Sequence, residues 1–264
     1  MLPKDFRPKK NYQLVRLGKN NDGGYLVGLN SILESESLIS FGIKDDWSFE
    51  EDFKKKKEVP LFAFDPSVSS SFWRIKIWMS IGFLFLGNYK KFFLTINNFF
   101  NFKKFFNKNN NLFFLEKVGR GGYKGYKSVS IYEILNKNEI INLFSENKNK
   151  NIYPYFFKVD IESAEYRILD ELINIKDKIS GIVIEFHDVD LHLDRIKNFI
   201  KAIDLTLVHI HANNMEETNK FNIPTLLELT FEKNPIELPG SVKLPHYLDQ
   251  KNDPDLDLTE LKFE

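Results

Sequence analysis

The sequence predicts an α/β fold: a seven-stranded, mostly parallel sheet with helices on both faces. Three observations carry that expectation. Short apolar runs rich in aromatic and β-branched residues recur along the chain, and the first five alternate with stretches of helical spacing. Several of these runs end in a glycine or a carboxylate (Gly42, Asp65, Asp160), the place where open α/β sheets bind ligands. The last two runs, 205–210 and 225–231, have no long helical pattern between them, which suits an antiparallel pair at a sheet edge.

The 264 residues are 42% hydrophobic, ample material for the core of one domain spanning 1–264. Formal net charge is +0, so no overall field favours nucleic acid. With no cysteine, disulfides and Cys-based zinc sites are excluded. The start, Met-Leu-Pro-Lys-Asp-Phe-Arg-Pro, has no apolar signal-peptide region, and a cytoplasmic location is expected. The longest apolar run, 77–86, is far short of the roughly 20 residues needed to span a bilayer.

Taken in order, 12–17 and 25–29 are apolar runs separated by Gly18-Lys-Asn-Asn-Asp-Gly-Gly24. Asn, Asp and Gly tolerate positive φ, so a hairpin over about residues 10–30 is expected. Its loop reads equally well as a plain turn or as a cover over a ligand. Residues 37–43 form the next strand, ending in Gly42, and a helix follows in which Ser48 is expected at the N-cap. Strand 59–64 ends in Asp65, spaced from Gly42 as an acid that accepts hydrogen bonds from ribose hydroxyls would be.

The rhythm breaks at 67–111, too long for an ordinary connection. A helical insertion with a large aromatic surface is expected. It suits first packing on the parent domain or a homo-oligomer interface, with a substrate lid or a peripheral membrane contact as the alternative. Strand 112–118 leads to a glycine-rich loop, 119–125, that lacks the ending of a nucleotide-binding P-loop. Ser130 and Glu133 match a capping box, and 136–151 is a polar connection. Strand 155–159 ends at Asp160, with a helix expected almost at once and Glu162 and Glu165 in its first turn. Strand 180–186 leads to Glu185, His187 and Asp188, and 191–203 is helical in spacing.

Lys158-Val-Asp-Ile-Glu-Ser-Ala-Glu-Tyr166 resembles the Lys-Ile-Asp-Val-Glu-Gly-Ala-Glu signature of the FkbM-type methyltransferases, with Ser163 where that family usually has glycine. Asp22-Gly-Gly-Tyr25, Ser40-Phe-Gly-Ile43, Trp47-Ser-Phe-Glu50, Asp65 and His209-Ile-His-Ala-Asn-Asn214 agree with it. The resemblance implies a class I methyltransferase (Rossmann-like) fold and S-adenosylmethionine as cofactor. It would place Gly24, Tyr25, Gly42, Asp45, Ser48, Asp65 and Asp160 at the cofactor. The expected reaction is O-methylation of a sugar or surface-glycan precursor.

A hydroxyl acceptor must lose a proton, and His187, at a strand end beside Asp160, is the first candidate base. His211 is the second, with Asn213 and Asn214 contacting substrate hydroxyls, and His209 is expected on a different side of its strand. Two alternatives stand. Asp160, Glu185, His187, Asp188 and His211 could hold a divalent metal, as in a metal-dependent hydrolase, although no tight ligand spacing favours it. A non-catalytic membrane-associated scaffold on the same fold would use the aromatic insertion.

Overall fold

The computed structural model describes residues 1–108, 110–119, 125–146, 153–216 and 218–264. Its central sheet has seven strands: β1 (Ser37–Phe41), β2 (Leu61–Phe64), β3 (Asn111–Phe114), β4 (Tyr155–Val159), β5 (Ile179–Phe186), β6 (Thr206–Ala212) and β7 (Leu227–Glu232). They lie in the order β3-β2-β1-β4-β5-β7-β6. All pairings are parallel except those of β7, which runs antiparallel to both β5 and β6. The final pair is thus antiparallel and at the edge, as the missing helical pattern implied.

The helices are α1 (Leu29–Glu34), α2 (Ser48–Lys56), α3 (Ser70–Phe85), α4 (Tyr89–Phe106), α5 (Ile131–Leu135), α6 (Asn138–Glu146), α7 (Leu169–Asn174) and α8 (Val189–Ala202). Every residue of β1, β2, β4, β5 and β7 is buried. Helices cover both faces at β1 and β4, hence their continuous apolar runs, whereas β7 alternates apolar and polar residues and turns Thr230 to the N-terminal hairpin. Alternate side chains divide between two cores. Ile39, Phe41, Phe157 and Val159 pack with Ile134, Leu172 and Phe199 of α5, α7 and α8. Leu38, Leu61 and Phe156 pack with Ile32, Phe53 and Phe102 of α1, α2 and α4. The expected N-terminal hairpin is present as Leu14–Leu17 paired with Tyr25–Gly28. It lies on the sheet through Thr230, whose hydroxyl donates to the Leu26 carbonyl at 2.6 Å.

Several local expectations change. Ser48 is not the N-cap of α2: Trp47 holds that place, and the Ser48 amide donates to Asp46 Oδ1 at 3.1 Å. The Ser48 hydroxyl, the group a capping serine would use, instead accepts from the Lys19 amide at 2.9 Å. The capping box at Ser130 and Glu133 forms as expected. After β4 no helix starts at once. Glu162 (φ 54°) and Ser163 (φ 67°) are both left-handed, and a 3-10 turn, Glu165–Arg167, precedes α7. Two successive left-handed residues cannot join a right-handed helix. Ser163 therefore occupies a position that favours glycine, held by its hydroxyl donating to Asp188 Oδ2 at 2.7 Å.

Segment 67–111 contains the helical hairpin of α3 and α4, rooted by Trp73, Phe102 and Phe105. Trp47 meets the Phe102 ring edge-on at 5.6 Å between centroids. No helix among the described residues is long and apolar enough to cross a membrane. Most of the glycine-rich loop, 120–124, and part of the polar connection, 147–152, lie outside the described residues.

Candidate functional site

β1 and β4 are neighbours, yet the chain leaves β1 toward β2 on one side and leaves β4 toward β5 on the other. The crossovers diverge there, and a crevice opens beyond the carboxyl ends of the two strands. A cavity of about 880 Å³ occupies it, within the range of small-molecule sites, about 300–1,000 Å³.

Gly42, just past β1, forms one wall. Its φ is +74°, and a Cβ there would overlap the Asp160 carbonyl oxygen that follows β4. Only glycine lets the two strand ends approach this closely. The Lys158 ammonium donates to the Gly42 carbonyl and lies 3.5 Å from Asp160 Oδ2. Burial opposes its charge, but Asp160, Glu50 and Glu185 carry its pKa above the ordinary value. Asp65 is buried and accepts four hydrogen bonds. They come from the amides of Ile43 (3.0 Å), Lys44 (2.7 Å) and Ser67 (2.7 Å) and from the Ser67 hydroxyl (2.6 Å). It ties the loop after β1 to the loop after β2.

The Tyr25 hydroxyl lies 2.7 Å from Glu185 Oε2 and 3.1 Å from Asp160 Oδ2. A phenol has one proton, so it cannot donate to both carboxylates. The arrangement closes when Glu185 is protonated and donates to Tyr25, which donates to Asp160. Burial, then the charges of Asp160 and Glu228, push the Glu185 pKa up to about 8, in line with that proton count. Asn213 donates to Glu185 Oε1 at 3.0 Å.

His187 Nδ1 is 2.9 Å from Glu165 Oε1, and Nε2 is 3.6 Å from Glu162 Oε2. Burial disfavours the imidazolium, but the hydrogen bond and charge of Glu165, with Glu185 and Asp160, raise its pKa to about 9. The ring is therefore charged at neutral pH. Glu165 itself is fully buried and also accepts from the Ile161 amide at 3.2 Å, so its place in the sequence reflects His187 rather than a helix dipole.

Gly42, Asp45, Asp65, Asp160, His187 and Asn213 all line the cavity. Asp45 pairs there with Lys76 of α3. Gly24, Tyr25 and Ser48 stand off the wall. Gly24 is packed against Arg16 and Lys19, and its neighbour Gly23 takes the wall position. Tyr25 acts from behind through Asp160 and Glu185, and Ser48 Oγ accepts from the Lys19 amide at 2.9 Å. His211 and Asn214 are covered by the C-terminal tail. His211 Nε2 is 2.9 Å from Asn252 Oδ1, and Asn214 donates to the carbonyls of Asp253, Leu256 and Asp257. His209 lies on the same side as His211, since positions two apart share a strand face, and its Nε2 is 2.8 Å from Asp249 Oδ1.

Sequence reasoning missed Glu50 and Glu165. Glu50 is buried on the cavity wall and accepts from the Ser40 hydroxyl through Oε1; its Oε2 has no hydrogen-bond partner among the described residues. Burial raises its pKa, partly offset by Lys158. The signal available was its place in Trp47-Ser-Phe-Glu50. In all, nine Asp and Glu against four Lys line the cavity among the described residues, a field that favours a cationic ligand over a phosphate.

No group of three His, Cys, Asp or Glu that could hold a metal ion is found among the described residues. Of the set considered for a hydrolase, Asp188 binds Ser163 and His211 binds the tail. No protein-family model matches the chain, and no curated protein matches it significantly.

Proposed function

We propose that the chain is an FkbM-type, S-adenosylmethionine-dependent O-methyltransferase acting on a hydroxyl of a sugar or surface-glycan precursor. The observation that carries this reading is the acid-rich cavity at the divergence of β1 and β4, with Glu50 on its wall keeping one carboxylate oxygen, Oε2, without a hydrogen-bond partner among the described residues. A cofactor bearing a sulfonium and an ammonium suits such a wall, whereas a pyrophosphate does not. The strand order, with β7 antiparallel beside β5, supports the Rossmann-like class I arrangement that the motif resemblance implies. Gly42, Glu50, Asp65, Lys158 and Asp160, drawn from four of the quoted motifs, meet on one cavity.

Gly42, Glu50, Asp65 and Asp160 would hold the cofactor: Gly42 by admitting its close approach, Glu50 and Asp160 by their charge. S-adenosylmethionine supplies an electrophilic methyl group. Because the displacement is in line, much of the acceleration comes from holding the acceptor hydroxyl in place. His187 would take the hydroxyl proton at Nε2, the ring nitrogen not held by Glu165, once the ring is neutral.

Calorimetry with S-adenosylhomocysteine tests the reading, together with mass spectrometry of candidate glycans for methyl addition. Absence of binding would refute it; binding with no methylated hydroxyl would refute the acceptor class.

A further inference from the structure

Segment 67–111 holds seven of the chain's 37 Lys and Arg and none of its 37 Asp and Glu. In a chain of net charge +0, this is a strongly basic element on an otherwise acidic body. It also exposes large apolar side chains at helical spacing. On α3 these are Ile75, Trp78, Met79 and Leu86, just past its end; on α4 they are Tyr89, Phe93 and Phe100. Trp78 is 75% exposed, and Phe85 and Leu86 at the hairpin tip are 89% and 80% exposed. Lys90 and Lys91 stand beside that tip, both exposed.

We propose that the α3–α4 hairpin docks the chain on an anionic phospholipid bilayer, its Phe85–Leu86 tip entering the interface and its lysines meeting the headgroups. Phe and Trp beside Lys, with no acid among them, is the chemistry of a helix lying in a lipid interface. Each lysine near an anionic surface strengthens attachment. A second copy is a poorer occupant, because face-to-face pairing would bring the exposed Lys90 and Lys91 of each copy together with no acid in the segment to offset them. The hairpin is too short and too polar to span, so it would lie on the surface. Its base is firmly joined to the cavity. Lys76 pairs with Asp45 on the cavity wall, and the Asn98 amide donates to the Asp45 carbonyl at 3.0 Å. A docked hairpin would therefore hold the cavity in a fixed attitude to the bilayer. None of this depends on the reaction proposed above.

Sedimentation of the full chain with vesicles tests it. Vesicles of phosphatidylcholine alone are compared with phosphatidylcholine mixed with phosphatidylglycerol. The protein should pellet with the mixed vesicles and not with the neutral ones, and added salt should weaken binding. Lys90→Glu/Lys91→Glu should reduce binding at least about tenfold. Trp78→Ser/Phe85→Ser/Leu86→Ser should do the same, and as these side chains are exposed the fold should persist by circular dichroism. No pelleting with mixed vesicles, or equal pelleting of the variants, overturns the proposal. A dimer in the ultracentrifuge that the apolar variant dissolves, without vesicle binding, assigns the face to a second copy instead.

Discussion

The Tyr25 hydroxyl sits 2.7 Å from Glu185 Oε2 and also reaches Asp160, so a single phenolic proton stands between two acids. Glu185 then behaves as a neutral acid at physiological pH. Its folded pKa of about 8 lies above its ordinary 4.5, so the stability it contributes is full below 4.5 and is lost as pH rises through 8. Glu185→Gln keeps the neutral shape, a donor toward Tyr25 and an acceptor for Asn213. It should fold normally and lose less stability than the wild type between pH 5 and 8. Thermal melts across that interval decide; a variant that is much weaker at pH 7 would mean the carboxylate is charged. Tyr25→Phe, by contrast, removes the hydroxyl that joins Glu185 Oε2 to Asp160 Oδ2 and should cost about 1–3 kcal/mol.

Gly42→Ala should be severe. The left-handed backbone alone costs about 1–3 kcal/mol for a non-glycine residue, and the new methyl group meets the Asp160 carbonyl. The melting temperature should drop and S-adenosylhomocysteine binding should vanish. Retained binding would show that the strand ends part more readily than their contact implies.

Glu165→Gln should change the pH profile rather than only the rate. With His187 charged up to about pH 9, methyl transfer to a hydroxyl should rise toward that pH. Removing the Glu165 charge lowers the His187 pKa toward 6.5, so the rising limb should move to more acidic pH. His187→Gln should abolish the limb. An unchanged limb in Glu165→Gln would place the titrating base elsewhere.

Glu50→Gln and Asp160→Ala should weaken S-adenosylhomocysteine binding by about tenfold or more each, since each removes a charge from a secluded wall. Calorimetry at constant ionic strength measures it. Near-normal affinity in both would move the cofactor off this wall.

The C-terminal tail should be firmest near pH 6.5. Burial holds the His209 pKa down to about 4, so its share is full above 6.5 and is lost as pH falls through 4. For His211 burial opposes the charge, but Glu228 and Asp249 raise its pKa to about 9, so its share is full below 6.5 and is lost as pH rises through 9. Hydrogen exchange of residues 245–257 should be slowest between those limbs. His211→Asn should remove the alkaline limb alone.

Strands such as 155–159 were legible because burial on both sheet faces leaves continuous apolar runs, and β7 because its apolar and polar residues alternate. The cavity wall was legible where it coincides with strand ends, at Gly42, Asp65 and Asp160. Two kinds of residue escaped. Glu165 and Glu50 look like ordinary first-turn acids, because helix dipoles and buried pairing place the same residue type there. His211 and Asn214 looked available because their covers, Asn252 and 253–257, lie about forty residues further on, and no local pattern announces that return.

Asp65 offers no spare lone pair: four donors already occupy its carboxylate. A ribose hydroxyl arriving there makes an exchange, displacing Ser67, so the residue would contribute discrimination more than affinity. Ser67 is also the Ser69 amide's acceptor, and Ser69 caps α3. A ligand that displaced Ser67 would therefore be felt where the aromatic hairpin begins, and thermodynamic linkage would make that influence reciprocal. Whatever grips the hairpin should alter how tightly the cavity holds its ligand, by the same factor in each direction.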